Sequence, residues 1–194
     1  MTKKQDLSSL IQTAVADSIQ VKQSFFGTHG PLVETCARKM ADTLASGGKI
    51  LLFGNGGSAA DCQHIAAEFV NRFVMERPPL AAIALTCDTS VLTSIGNDYS
   101  FDEIFSKQVR ALGRPGDLCI AISTSGNSPN VIRAAEQARQ AGLFLVGFSG
   151  AGGQLKEISD LCFCVNSPVT ARIQETHILL AHILCDLTER TLFA

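Results

Sequence analysis

Five short apolar runs, each leading into a stretch of a different character, constrain this chain more than any other feature. They are KILLFGN (49–55), AAIAL (81–85), DLCIAIS (117–123), LFLVGFS (143–149) and LCFCV (161–165). Each is apolar throughout rather than alternating. That is the pattern of a strand buried on both faces, as happens when helices cross over between parallel strands. Between the runs lie helical segments over about 57–75, stopped by Arg77-Pro78-Pro79, and over 129–141, ended by Gly142. Two further helical pieces lie between Thr89 and Gly113, separated by a loop at GNDYS. A long helix over about 171–192 closes the chain. Strand alternating with helix predicts an α/β fold with a doubly wound parallel sheet.

Two amphipathic helices, 6–27 and 31–46, are predicted ahead of the first strand, broken at THGP and ended by Gly47-Gly48. Leu7, Leu10, Ile11, Val15, Ile19 and Val21 approximate a helical stripe. This extra layer has apolar faces to pack on its own domain or on another subunit. One domain is expected over 1–194: N-terminal helices about 6–46, sheet core about 49–166, and the C-terminal helix.

Composition excludes several roles. The 194 residues carry a net charge of −2 with scattered basic residues, so no direct nucleic-acid partner is expected. No apolar run reaches 18 residues, so no membrane span is expected. MTKKQDLSSLIQ lacks the apolar core of a signal peptide. Seven dispersed cysteines without a CxxC read as reduced thiols of a cytoplasmic protein.

In an open α/β sheet, ligands bind beyond the carboxyl ends of the strands, at helix N-termini. Two loops occupy that position. GNGGS follows the first strand: Gly54, Gly56 and Gly57 permit close backbone approach, and Ser58 adds a hydroxyl. STSGNSPN follows the third and supplies Ser123, Thr124, Ser125 and Ser128. Ser128-Pro129 also suits an N-cap followed by a first-turn proline. Neither loop ends in the Lys-Ser/Thr of a triphosphate-binding loop, nor does GNGGSAA fit GxGxxG. Neutral donors suit a monophosphate such as a sugar phosphate.

His64 and Glu68 share one helix face at i and i+4. His64 lies about 9 Å beyond Ser58 along the helix, roughly a sugar's length from the phosphate loop. The C-terminal helix inserts Gln174, Glu175, His177 and His182 into an apolar sequence, and buried polar groups need partners.

Together GNGGSAADCQHIAAE, GNDYSF, STSGNSPNVI and ARIQETHILLAH resemble the phosphoheptose isomerases (sedoheptulose 7-phosphate isomerases) of the sugar-isomerase (SIS) superfamily, over nearly the whole chain. The resemblance implies a three-layer fold with a five-stranded parallel sheet flanked by helices. It also implies a homotetramer with active sites between subunits. One Zn2+ per site would be held by His64, Glu68, Gln174 and His182. The substrate would be held at Asn55, Gly56, Gly57, Asn97, Asp98, Ser123, Thr124, Ser125 and Ser128, with Ser58, Glu68 and Gln174 alongside. Glu68 and His182 would be the acid–base pair of an aldose–ketose isomerisation through an enediol, an early step toward nucleotide-activated heptose and lipopolysaccharide core. The ending LCDLTERTLF also resembles the tail of a SIS-fold protein that binds the replication initiator DnaA, and a sugar-phosphate-sensing module is a third reading. The intact ligand set favours the isomerase.

Gln174 and His182 are eight residues apart, about 12 Å on a straight helix, whereas zinc ligands sit about 2 Å from the metal. Either the helix begins irregularly near Gln174, or the two ligands come from different subunits. Likewise, either Glu68 leaves the metal during turnover, or the zinc is chiefly organisational.

Overall fold

The computed structural model describes residues 6–194; Met1–Gln5, with the Lys3-Lys4 pair, lie outside the described residues. In chain order the elements are α1 (Leu7–Ala45), β1 (Ile50–Gly54), α2 (Gly57–Val70), β2 (Ala82–Ala84) and α3 (Thr89–Asp98). A 3-10 turn (Phe101–Glu103) leads to α4 (Ser106–Leu112), β3 (Leu118–Ser123), α5 (Pro129–Gln140), β4 (Phe144–Ser149), α6 (Gln154–Ile158), β5 (Leu161–Cys164) and α7 (Thr170–Phe193). The five strands form one parallel sheet in the order β2-β1-β3-β4-β5.

Successive residues of each strand point to opposite faces, and the core divides accordingly. Ile50 and Leu52 of β1, with Ile120 and Phe148, pack against α1, α2 and α7. Leu51 and Phe53, with Cys119 and Leu145, pack against α4, α5 and α6. This is the three-layer arrangement expected from strands apolar on both faces. Gly54 pairs with Ile122, so β1 and β3 end level with each other. The strand order reverses between them, and their following loops therefore open the crevice where ligands bind in such sheets.

Local differences from the sequence reading have physical causes. The two expected N-terminal helices are one, with Pro31 inside it. Proline removes the bond to the carbonyl four residues back, here that of Gly27. Both residues are exposed, so water can satisfy that carbonyl. Thr28 and His29 turn their side chains back to the Phe25 carbonyl, and Phe25, Val33, Cys36 and Met40 tie both halves to one core. Further on, α2 stops at Val70, short of the expected 75, and a distant carboxylate captures the N–H groups of Phe73, Val74 and Met75, as described below. GND belongs to α3, which Asp88 caps through the Val91 N–H. The short α6 had not been expected.

Candidate active site

Both expected phosphate loops emerge at the crevice. Gly56 has φ +55° and ψ −121°, a conformation that favours glycine, and no side chain caps α2 behind it. Asn55 and Asn130, the latter buried, exchange two amide hydrogen bonds of 2.8 and 2.9 Å, which lock the first loop to α5. Ser58 is buried in the first turn of α2.

In the second loop the Ser123 hydroxyl lies 2.9 Å from that of Ser128 and 3.3 Å from that of Ser125. Ser128 occupies the N-cap of α5 with Pro129 at the next position, as expected, but its hydroxyl caps nothing. It faces Ser123 instead. Thr124 is half-buried beside them, and its carbonyl lies close over Gly150. Two helices, α2 and α5, thus present N-termini without side-chain caps beside a cluster of hydroxyls, an arrangement that attracts an anion.

Along α2, His64 and Glu68 meet His182 from α7. The His64 and His182 Nε2 atoms are 2.9 Å apart, and His64 Nε2 lies 3.3 Å from Glu68 Oε1. One donor atom from each of the three falls within 4.8 Å of the others. The edges of a tetrahedral zinc site are about 3.3 Å long, given ligand distances near 2 Å. Two imidazoles and a carboxylate are also a donor set that leaves a fourth position open. The residues present therefore fit a zinc ion.

Gln174 does not join this triad. Helix α7 is regular from Thr170, which removes the irregular-start alternative, and a Cβ on Gly57 would lie 2.6 Å from Gln174 Nε2. The amide sits against the first loop at Gly57, while His182, eight residues on, meets His64, seven residues beyond Gly57: α2 and α7 run side by side in register. Asn97 and Asp98 end α3, where they hydrogen-bond to each other at 2.8 Å, exposed. No hydrogen bond among the described residues joins them to either loop or to the triad.

Two contributors, Asp61 and Phe73, were missed, and the partner of a third, His177, was not foreseen. Asp61, three residues before His64, is half-buried; desolvation pushes its carboxyl up and outweighs the opposing pull of His64 and His182. Its i,i+3 spacing from His64 is a signal that the sequence carries. The Phe73 ring stacks on His182, centroids 5.4 Å apart and 25° between planes. His177 is buried, with Nε2 at 3.0 Å from the Ser149 carbonyl oxygen at the end of β4. No local pattern points to Phe73, whereas His177 stood among the polar insertions of the C-terminal helix that need a partner, and the Ser149 carbonyl is that partner.

The SIS-domain family model matches residues 15–150. A phosphoheptose isomerase of Nitratidesulfovibrio vulgaris is 56% identical over 185 residues, covering 95% of this chain and 88% of that protein. Two solved structures are similar throughout. The phosphoheptose isomerase of Neisseria gonorrhoeae has a TM-score of 0.90 at 46% identity, covering 95% of this chain and all of that one. That of Francisella tularensis has a TM-score of 0.92 at 38% identity, covering 96% and all of that chain. With its parallel sheet, hydroxyl-lined loops and His-Glu-His cluster, the chain belongs to the phosphoheptose isomerase family of SIS-domain enzymes.

Proposed function

We propose that this isomerase converts sedoheptulose 7-phosphate to D-glycero-D-manno-heptose 7-phosphate, feeding nucleotide-activated heptose and lipopolysaccharide core synthesis in the cytoplasm. One observation carries the reading: the hydroxyl-lined helix N-termini and the His64–Glu68–His182 cluster are joined by α2, about 10 Å apart along its axis. A phosphate at the loops sets the reacting end of a sugar beside the cluster.

The reaction moves a proton between C1 and C2 and shifts protons on the two oxygens. Glu68 takes the carbon-bound proton and returns it to the neighbouring carbon. His182 transfers protons on oxygen. Ser58, Ser123, Ser125 and Ser128, with the backbone of Asn55–Gly57 and Thr124, hold the phosphate. His64, Glu68 and His182 would hold a zinc ion, with Gln174 of a neighbouring subunit as the fourth ligand. Such an ion supplies Lewis-acid polarisation of the substrate oxygen when bound.

A homotetramer with shared sites accommodates two further observations. Leu7, Leu10, Ile11, Val15 and Ile19 leave an apolar stripe exposed along α1. Asn97 and Asp98 are available to complete a neighbour's site.

The test is turnover of sedoheptulose 7-phosphate by the purified protein, followed by NMR, with metal analysis of the same sample. Isomerisation with zinc present supports the reading. Sugar-phosphate binding without turnover would replace it by a sensing role. Capture of the replication initiator without metal or turnover would replace it by the scaffold role.

A further inference from the structure

Residues 71–80 leave the end of α2 as an irregular strap and return to the sheet at β2. One carboxylate from far along the chain holds the strap's backbone. Glu189 lies on α7, seven residues or about 10 Å beyond His182, so the two side chains leave the same face of the helix. It is fully buried. Its Oε1 accepts from the Phe73 N–H at 2.8 Å and from Arg77 Nε at 3.0 Å; its Oε2 accepts from the Val74 and Met75 N–H groups, each at 3.0 Å.

Arg77, equally buried as a side chain, turns the rest of its guanidinium to the orphan carbonyls at the end of α2. Nη2 donates to the Glu68 carbonyl at 2.8 Å. Nη1 donates to those of Phe69 at 2.6 Å, Asn71 at 3.2 Å and Pro78 at 3.1 Å. The chain of contacts is continuous: from His182 down α7 to Glu189, across to Arg77, and up to the backbone of Glu68. A second branch runs from Glu189 through the Phe73 N–H to the Phe73 ring on His182.

Stability alone is a poor reason for such a pair. Desolvation offsets much of a buried ion pair's attraction, and apolar residues of similar volume often serve as well. What carboxylate and guanidinium add is direction, since every backbone group the pair binds lies within ten residues of Glu68.

We propose that Arg77 and Glu189 are positioning residues for the isomerisation. Their buried clasp sets α2 against α7 so that His64 and Glu68 meet His182, and it seats Phe73 as the wall that fixes the His182 ring. The inference rests on the proposed function and extends it to residues that touch neither sugar nor metal.

The test compares wild type, Glu189→Gln and Phe73→Leu as full-length proteins. Glutamine keeps the volume but cannot accept on both sides; leucine leaves the backbone clasp and removes the ring. Fold and assembly are checked by circular dichroism and size-exclusion at the assay temperature. Zinc affinity of the metal-free protein is measured by competition with a chromophoric chelator, separately from activity.

Both folded variants are expected to lose about tenfold or more in zinc affinity and in kcat, the scale seen when supports of metal ligands are removed. KM for sedoheptulose 7-phosphate should stay within about threefold, because the clasp does not touch the phosphate loops. If wild type binds zinc and turns over while folded variants match it in both, the clasp is overturned and the functional reading stands. A loss of kcat that follows thermal stability, with unchanged zinc affinity, would also overturn it. If wild type shows neither zinc uptake nor turnover, the functional reading falls and takes the clasp with it. Should Glu189→Gln fail to fold, Phe73→Leu decides by the same two measurements.

Discussion

Two glycines show how differently a single hydrogen can matter at residue scale. Gly126 has φ +69°, and a Cβ there would overlap the Gly152 carbonyl oxygen and lie 2.5 Å from Ser149 Oγ. Both obstacles belong to the rim of the sheet, and one is backbone. Gly126→Ala is expected to cost about 3 kcal/mol or more, combining a positive φ with a backbone clash. Gly57 meets only the Gln174 amide, the far end of a flexible side chain. Gly57→Ala should therefore keep near-native stability and raise KM by displacing Gln174 from the loop. Urea unfolding and steady-state kinetics on both variants separate the cases. Equal stability losses would refute the distinction. At Glu68 the expectation is chemical. A carboxamide cannot take a proton from carbon, so Glu68→Gln should lower kcat by about 10²-fold or more. Wild-type turnover in that variant would remove Glu68 from the mechanism.

At the scale of elements, legibility followed the range of the forces involved. The strands were readable because each is a continuous apolar run whose burial is written locally. Its two-sided packing follows from the helices around it. His64 and Glu68 were readable as a pair because helical spacing alone puts them together. The path of the chain after α2 was not, because Glu189 holds it, more than a hundred residues away in sequence. For the same reason Phe73 could not be read, and the meeting of His64 with His182 came only from the family resemblance, not from spacing: both exist only through the packing of α2 on α7. Nor was α1 read as one helix. Pro31 is a local stop signal, and the buried side chains on either side of it overrule that signal. That override has a measurable cost. Pro31→Ala restores the bond to the Gly27 carbonyl and relieves the ring's crowding. It should stabilise the protein by about 1–3 kcal/mol, a rise in Tm of a few degrees for a chain this long. An unchanged or lower Tm would mean that α1 is already fully relaxed around the proline.

For the whole molecule, the response to acid follows from two buried groups on α7. His177 is held neutral by burial, against the smaller opposing effect of its bond to the Ser149 carbonyl, and titrates at about 4 instead of 6.5. Its Nε2–H donates to that carbonyl, and Nδ1 has no partner among the described residues. Because the folded value lies below the unfolded one, the unfolded chain binds the extra proton first as pH falls. The stability contribution of the neutral form is complete above about 6.5 and declines to a floor near 4. At about 1.4 kcal/mol per pH unit, the total is about 3 kcal/mol. Glu189 acts lower on the scale. Burial raises its carboxyl, but the N–H groups of Met75, Phe73 and Val74, with Arg77, outweigh it and hold it below the ordinary 4.5. Its contribution is present above that value and is lost as pH falls through the lowered one. The two windows can be separated by unfolding in urea at pH 7.5, 5.5 and 4. Wild type should lose about 3 kcal/mol more than His177→Gln across that range, about half of it by pH 5.5 and the rest between 5.5 and 4. Parallel stability curves for the two proteins would show that His177 is not held neutral by the fold. Glu189→Gln, by contrast, should diverge from wild type in slope only below about pH 4.5, because the carboxyl stays ionised in both folded and unfolded chains above it.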